Sequence, residues 1–262
     1  IFYVWKEKEI EALLGNDSEL FKEVYHITTE GNWEHGKNIL HRKNTIKLHA
    51  KSHGFDPGTF EHKLRGLRQL LLSHRSTRVR PGQDDKILCS WNALMVRAYF
   101  VASKAVKKGK QEATEQLSQQ YLDTGVQQLD FLITHFLQED GSLKRNCKTT
   151  TDSSGKPHHK VTIDGMLDDY AFLISALLEA YQTVFEERYL QLAHQLTNYC
   201  LKHFRDPEDG FFFYTHKRSL QLVTRMKELN DNVIPSSNSE MALNLLTLGT
   251  LLDISEYTVI AR

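Results

Sequence analysis

The stretch Arg80-Pro81-Gly82-Gln83-Asp84-Asp85-Lys86-Ile87-Leu88-Cys89-Ser90-Trp91-Asn92-Ala93-Leu94-Met95 decides how the chain is read. Two carboxylates, a lysine, an indole and an amide stand together just ahead of an apolar helical pattern. Pro81 and Gly82 mark a turn. Asp84 or Asp85 is then placed to accept from the free N–H groups of a first helical turn. From Ile87 onward, Trp91, Leu94, Met95, Ala98, Ala102 and Ala105 fall on one helical face. A polar cluster thus sits at a helix mouth, with an apolar stripe running away from it.

The arrangement recurs. Asp169-Tyr170-Ala171-Phe172-Leu173 and Glu240-Met241-Ala242-Leu243-Asn244 open helices in the same manner. Between them the chain cycles through helix, helix and short hairpin. Helices are expected from Ile87 to Val106, Glu112 to Leu137, Leu167 to Phe185, Glu187 to Phe204 and Met241 to Leu252. Hairpins are expected over Leu143 to Ile163 and over Phe211 to Thr215 with Leu220 to Arg225 as the return strand. A helical-hairpin repeat cannot bury its apolar face alone, so neighbours stack. The hairpins fall between one pair and the next, which gathers them at one end beside the mouths of the inner helices. Upstream, short helices are expected over Lys6 to Leu14 and Ser18 to Tyr25. Ile27 to Lys51 reads as irregular, and a helix capped by Thr59 ends near His74. The basic run Arg75, Arg78 and Arg80 is either a solvated helix end or an anion-binding rim.

The 262 residues carry 33 basic and 33 acidic side chains, and this balance argues against a nucleic-acid partner. No apolar run is long enough to span a membrane. Cys89, Cys147 and Cys200 are widely spaced and odd in number, which points to free thiols and a reducing, cytoplasmic setting. No metal-ligand spacing and no cofactor motif is present. The start at Ile1-Phe2-Tyr3-Val4-Trp5, without methionine, reads as a strand entering from upstream, so the chain is expected to be a fragment.

Taken together, several stretches resemble the spermatogenesis-associated protein 20 family. They are Phe2-Tyr3-Val4-Trp5, Glu30-Gly31-Asn32, Asn38-Ile39-Leu40-His41, Asp84-Asp85-Lys86 with Trp91-Asn92-Ala93-Leu94-Met95, Asp168-Asp169-Tyr170-Ala171-Phe172, Arg225-Met226-Lys227, and Asp231 with Pro235-Ser236-Ser237-Asn238-Ser239. The chain departs from the family pattern at Gln83, Ala93 and Ser237. The resemblance implies a mainly all-α fold, a partial α/α six-hairpin toroid with short β-hairpins at one end. It makes residues 1–262 a fragment of one toroid domain. It also implies a thioredoxin-like domain elsewhere in the full-length protein as a partner, and a likeness to six-hairpin glycosidases and sugar epimerases.

On this reading the candidate acids and bases are Asp84, Asp85 and Asp169, since a two-carboxylate mechanism draws its groups from separate elements. Asp84 and Asp85 read equally as a helix cap and an ion pair with Lys86 or Arg80, and Asp168 as a helix-start carboxylate. Trp91 is a sugar platform or core, and Asn92 and Tyr170 stand beside these mouths. Arg225 would hold a carboxylate, phosphate or hydroxyl, or else a surface ion pair. Ser237 with Glu240 fits a capping box, leaving Ser236 and Asn238 for a ligand. The histidines avoid the repeated mouths, which weighs against an epimerase; His158-His159 is the one pair of interest. Two functions stand: a carbohydrate-active or carbohydrate-binding domain for a small saccharide, and a non-catalytic ligand-binding or interaction scaffold serving the thioredoxin-like domain.

Overall fold

A computed structural model of the chain describes residues 2–107, 112–219 and 224–262. They form ten α-helices and one small sheet, in two compact units, 1–84 and 85–262.

The first unit holds α1 (Glu7–Leu14), α2 (Ser18–Tyr25), α3 (Ile46–Ser52) and α4 (Pro57–Ser76). Its core is built from Trp5, Ile10, Phe21, Val24, Phe60, Leu64 and Leu71. Thr45 caps α3, a helix that the irregular reading of Ile27 to Lys51 misses. The cap of α4 is Asp56 rather than Thr59: its Oδ2 accepts from the N–H groups of Gly58 at 2.9 Å and Thr59 at 3.1 Å, with Pro57 in the first turn. Asn38 is buried and clamps the Thr28 backbone, accepting from its N–H at 3.1 Å and donating to its carbonyl at 3.0 Å. Arg78 donates to the Phe2 and Val4 carbonyls, pairs with Glu9 at 2.5 Å and covers the Trp5 ring at 4.0 Å. That arginine ties the first strand-like segment down and is no free anion rim.

The second unit begins with β1 (Ile87–Leu88) and runs through α5 (Cys89–Lys107), α6 (Glu112–Phe136), β2 (Lys144–Thr151), β3 (Pro157–Asp164), α7 (Leu167–Val184), α8 (Glu187–His203), α9 (Ser237–Leu252) and α10 (Ser255–Ile260). The strands form an antiparallel sheet in the order β1-β2-β3, with Ile87 opposite Cys147 and Thr150 opposite His158. The all-α reading with a small hairpin therefore holds. The 211–215 segment makes a single bridge, Arg205 to Phe212, and no strand. Of its expected return, residues 220–223 lie outside the described residues.

Each odd-numbered helix packs on the even-numbered helix that follows it, and α7 packs on both α5 and α9. The first helices of three successive hairpins thus stand side by side with their partners outside, an arc of an α/α toroid. The middle helix shows why. From Leu167 to Leu178 every residue of α7 is buried, because the segment is apolar almost all round. On α5 the buried residues are Cys89, Ser90, Ala93, Val96, Phe100 and Ser103. The stripe singled out in the sequence is largely the other face: Trp91 is 63 % exposed and Met95 57 %, Ala98 and Ala105 are exposed, and Leu94 and Ala102 are half-buried.

Candidate functional site

The expected gathering of polar groups at one end of the arc is built by hydrogen bonds between helix starts. The first turn of α5 is not capped by Asp84 or Asp85, because β1 intervenes before the helix begins. Its cap comes from α7: Asp169 Oδ1 accepts from the Ser90 N–H at 3.0 Å. The other oxygen, Oδ2, accepts from the Met166 N–H at 3.0 Å and so closes the start of its own helix. Arg145, on β2, donates through Nη1 to Asp169 Oδ2 at 2.9 Å and to Asp168 Oδ1 at 2.8 Å. One carboxylate therefore joins two helices and a strand. The chain reaches α7 through Gly165, whose N–H donates to the Leu143 carbonyl at 2.7 Å; a Cβ there would stand 2.9 Å from that same oxygen. Two residues earlier, β-branched Ile163 holds φ 54°, a strained backbone for that side chain.

Asp169 is fully buried. Burial, and then the neighbouring Asp168 carboxylate, push it up to about 7, against Arg145 and the two backbone donors. Burial, with both aspartates, also pushes the Cys89 thiol well above its usual range. All three cysteines are buried and unpaired.

The remaining predicted residues are placed as follows. Asp84 is exposed in the loop before β1. Asp85 is exposed and faces Lys148 at 3.3 Å. Trp91 stands open on the first turn of α5, and the Asn92 amide turns back to the Leu88 carbonyl at 2.8 Å. Tyr170 does not face a cavity: it is core, its hydroxyl accepts from the Leu143 N–H at 2.8 Å, and its ring stacks on Tyr199 at 5.3 Å. Asn238 is likewise consumed. It accepts from the Phe212 N–H at 2.8 Å and donates to the Phe212 and Glu228 carbonyls, each at 2.9 Å. Arg225 donates to the Thr215 carbonyl and lies 4.0 Å over the Phe213 ring.

The last inner helix is capped by Ser236, not Ser237; the Ser236 hydroxyl accepts from the Ser239 N–H at 3.1 Å. That frees Glu240 from a capping box. It reaches across to Arg97 of α5 at 2.8 Å instead. Asn244 donates to the Ala171 carbonyl at 2.7 Å, so all three inner helices are stitched by buried polar side chains. His159 meets His135 of α6 at 4.4 Å between ring centres and the Thr149 hydroxyl of β2 at 3.0 Å, a packing role between the hairpin and α6. Among the described residues, no group of three histidines, cysteines or carboxylates is placed to hold a metal, and no helix is long and apolar enough to cross a membrane.

Two residues that sequence reasoning passed over matter most here. Arg145 lies in a strand with no motif around it, and Ser90 contributes only its backbone N–H. The signal for Arg145 was the adjacent Asp168-Asp169 pair, since two buried neighbouring carboxylates require a cation.

No family model matches the chain. It is similar to an uncharacterised protein of Caenorhabditis elegans, 28% identical over 272 residues, with 98% of this chain and 35% of that protein covered. Among solved structures it is similar to an unsaturated glucuronyl hydrolase specific for heparin, with a TM-score of 0.48 and 15% identity, over 70% of this chain and 46% of that one. The chain spans about a third of the length of the curated relatives it matches. Along 94% of its length it is similar to mouse spermatogenesis-associated protein 20, 28% identical over 268 residues and matching 32% of that protein, which is the family that its motifs resemble.

Proposed function

We propose that the chain is a carbohydrate-binding part of an α/α toroid, one that holds a saccharide rather than cleaving it. The platform is the Trp91 face of α5, with Asp85 as an acceptor for ring hydroxyls. One observation carries this reading: the Trp91 indole stands open at a helix mouth, while Asp168 and Asp169 are already tied to Arg145 and to backbone N–H groups. A rigid helix presenting an indole offers a flat apolar surface and one N–H donor, which suits a pyranose face. A two-acid mechanism needs carboxylates on opposite sides of the scissile bond. Here Asp168 and Asp169 are sequence neighbours sharing one guanidinium, and covering the chain further, by more protein, would bury them no less.

The test is a thermal-shift panel of mono- and disaccharides on the wild type, Trp91→Ala and Asp85→Asn. A ligand that binds the native state raises the midpoint. The expected result is a saturable shift in the wild type that Trp91→Ala abolishes and Asp85→Asn weakens. No shift with any sugar, or an undiminished shift in Trp91→Ala, overturns the reading.

A second reading is favoured by the exposure of Met95 and Val101 beyond Trp91. An apolar face of that length suits a protein surface better than a sugar. It makes the chain an interaction scaffold, with a thioredoxin-like domain as its partner. A reducing, cytoplasmic setting goes with either reading, given three buried, unpaired cysteines.

A further inference from the structure

The loop that follows α8 collects polar atoms left without partners. Among the described residues, His203 Nδ1, Thr215 Oγ1 and Arg225 Nε are buried and make no hydrogen bond. A buried donor without an acceptor costs free energy, so several in one neighbourhood call for a common cause. Tyr214 donates its N–H to the Met226 carbonyl at 2.7 Å, which sets Arg225 opposite Thr215. The Arg225 guanidinium is half-buried and packed on Phe213. The acidic group it feels is Asp206, and that carboxylate is engaged, taking Lys227 Nζ at 2.5 Å and the Glu208 N–H at 3.0 Å. Desolvation consequently lowers Arg225 below the ordinary guanidinium range.

Beside it, His203 and His216 stack at 4.7 Å, with the Tyr199 hydroxyl 3.4 Å from His216 Nε2. The charged groups facing these rings are Lys202 from α8, Lys217 and Arg218 from the loop, Arg225, and on the acidic side Asp164 at the end of β3. Burial, then the His216 ring and the Lys217, Lys202 and Arg218 charges, push His203 down to about 4, and burial with Arg218, Lys217 and Arg225 holds His216 below its usual value.

We propose that Arg225, Thr215 and the His203–His216 pair form a binding site for an oxoanion, a phosphate or carboxylate group on a small ligand. Arg225 Nε and the Thr215 hydroxyl supply donors that no described residue uses, and Arg225 supplies a charge that no described carboxylate pairs directly. An anion placed there opposes the field of the four cations, so the imidazoles take up a proton as it binds. The site does not depend on the saccharide reading of the Trp91 face.

Titration calorimetry at pH 6 with inorganic phosphate and, separately, with glucuronate tests the proposal, each run in two buffers of different ionisation heat. The expected result is saturable binding of at least one anion, weakened about tenfold or more in both Arg225→Gln and Thr215→Val, a loss of the size expected when charge-assisted hydrogen bonds are removed. The heat should depend on the buffer, as proton uptake requires, and lose that dependence in His203→Gln. Binding of phosphate alone assigns a phosphate ester, and of glucuronate alone a carboxylate. Failure of both anions to bind overturns the proposal. So does binding that both variants leave unchanged while circular dichroism shows them folded.

Discussion

Arg145 and Arg225 are both half-buried guanidiniums at the hairpin end of the second unit, yet their surroundings are opposite. Arg145 meets two carboxylates, and every oxygen of Asp169 is spoken for. Arg225 meets a carbonyl and a phenyl ring, and its Nε meets nothing among the described residues. The first is a finished structural joint and the second an unfinished one. Removing a partner from a satisfied buried network leaves charge stranded, whereas removing an uncompensated charge strands little. Equal-looking residues on neighbouring hairpins therefore carry different duties, one holding the fold and one open to a ligand.

The sharpest way to break this contrast is Asp169→Ala. It strips the caps from two helices and leaves Arg145 with one carboxylate. The expected loss in urea unfolding is about 3–5 kcal/mol, the cost typical of breaking a buried ion pair. The proton on Asp169 offers a second handle. Its folded value of about 7 lies above the ordinary aspartate value of 3.8, so between those pH values the folded chain keeps a proton that the unfolded chain has lost. Stability from this group is full below the lower value and falls as pH rises toward the upper one, by at most about 1.4 kcal/mol per pH unit. Urea midpoints measured from pH 4 to 8 should show that decline, and Asp169→Asn should flatten it. The smallest effect sharpens the comparison: without added anion, Arg225→Gln should change stability by no more than about 1 kcal/mol, while Arg145→Gln costs about 3 kcal/mol by stranding two aspartates. Equal losses in the two variants would erase the distinction.

Much of this was legible from periodicity and turn chemistry. The inner helix α7 announced itself by an apolar run with two aspartates at its start, and the β2–β3 hairpin by its Ser153-Ser154-Gly155 turn. Caps were less legible because near-equivalent residues compete within one turn: Asp56 displaced Thr59, and Ser236 displaced Ser237. The cap of α5 was out of reach, since local rules look two or three residues ahead and its acceptor lies 79 residues away. Tyr170 and Asn238 were misplaced for a related reason. Standing beside a helix mouth does not say whether a side chain points out of it, and their partners, Leu143 and Phe212, belong to other segments. Trp91 was read as platform or core, and its exposure followed only once Ala93, Val96 and Phe100 had taken the packed side of the helix.

The Ser90–Asp169 bond also bears on how the chain folds. It closes a loop of 79 residues, and holding such ends together costs about 4 kcal/mol of chain entropy before any contact rewards it. The start of α5 is thus completed only after α7 has docked. The α5–α6 hairpin, rich in contacts of its own, would form early with a fraying first turn. The carboxylate joint then acts as a late latch, slowing the chain's escape from the native state more than its approach to it.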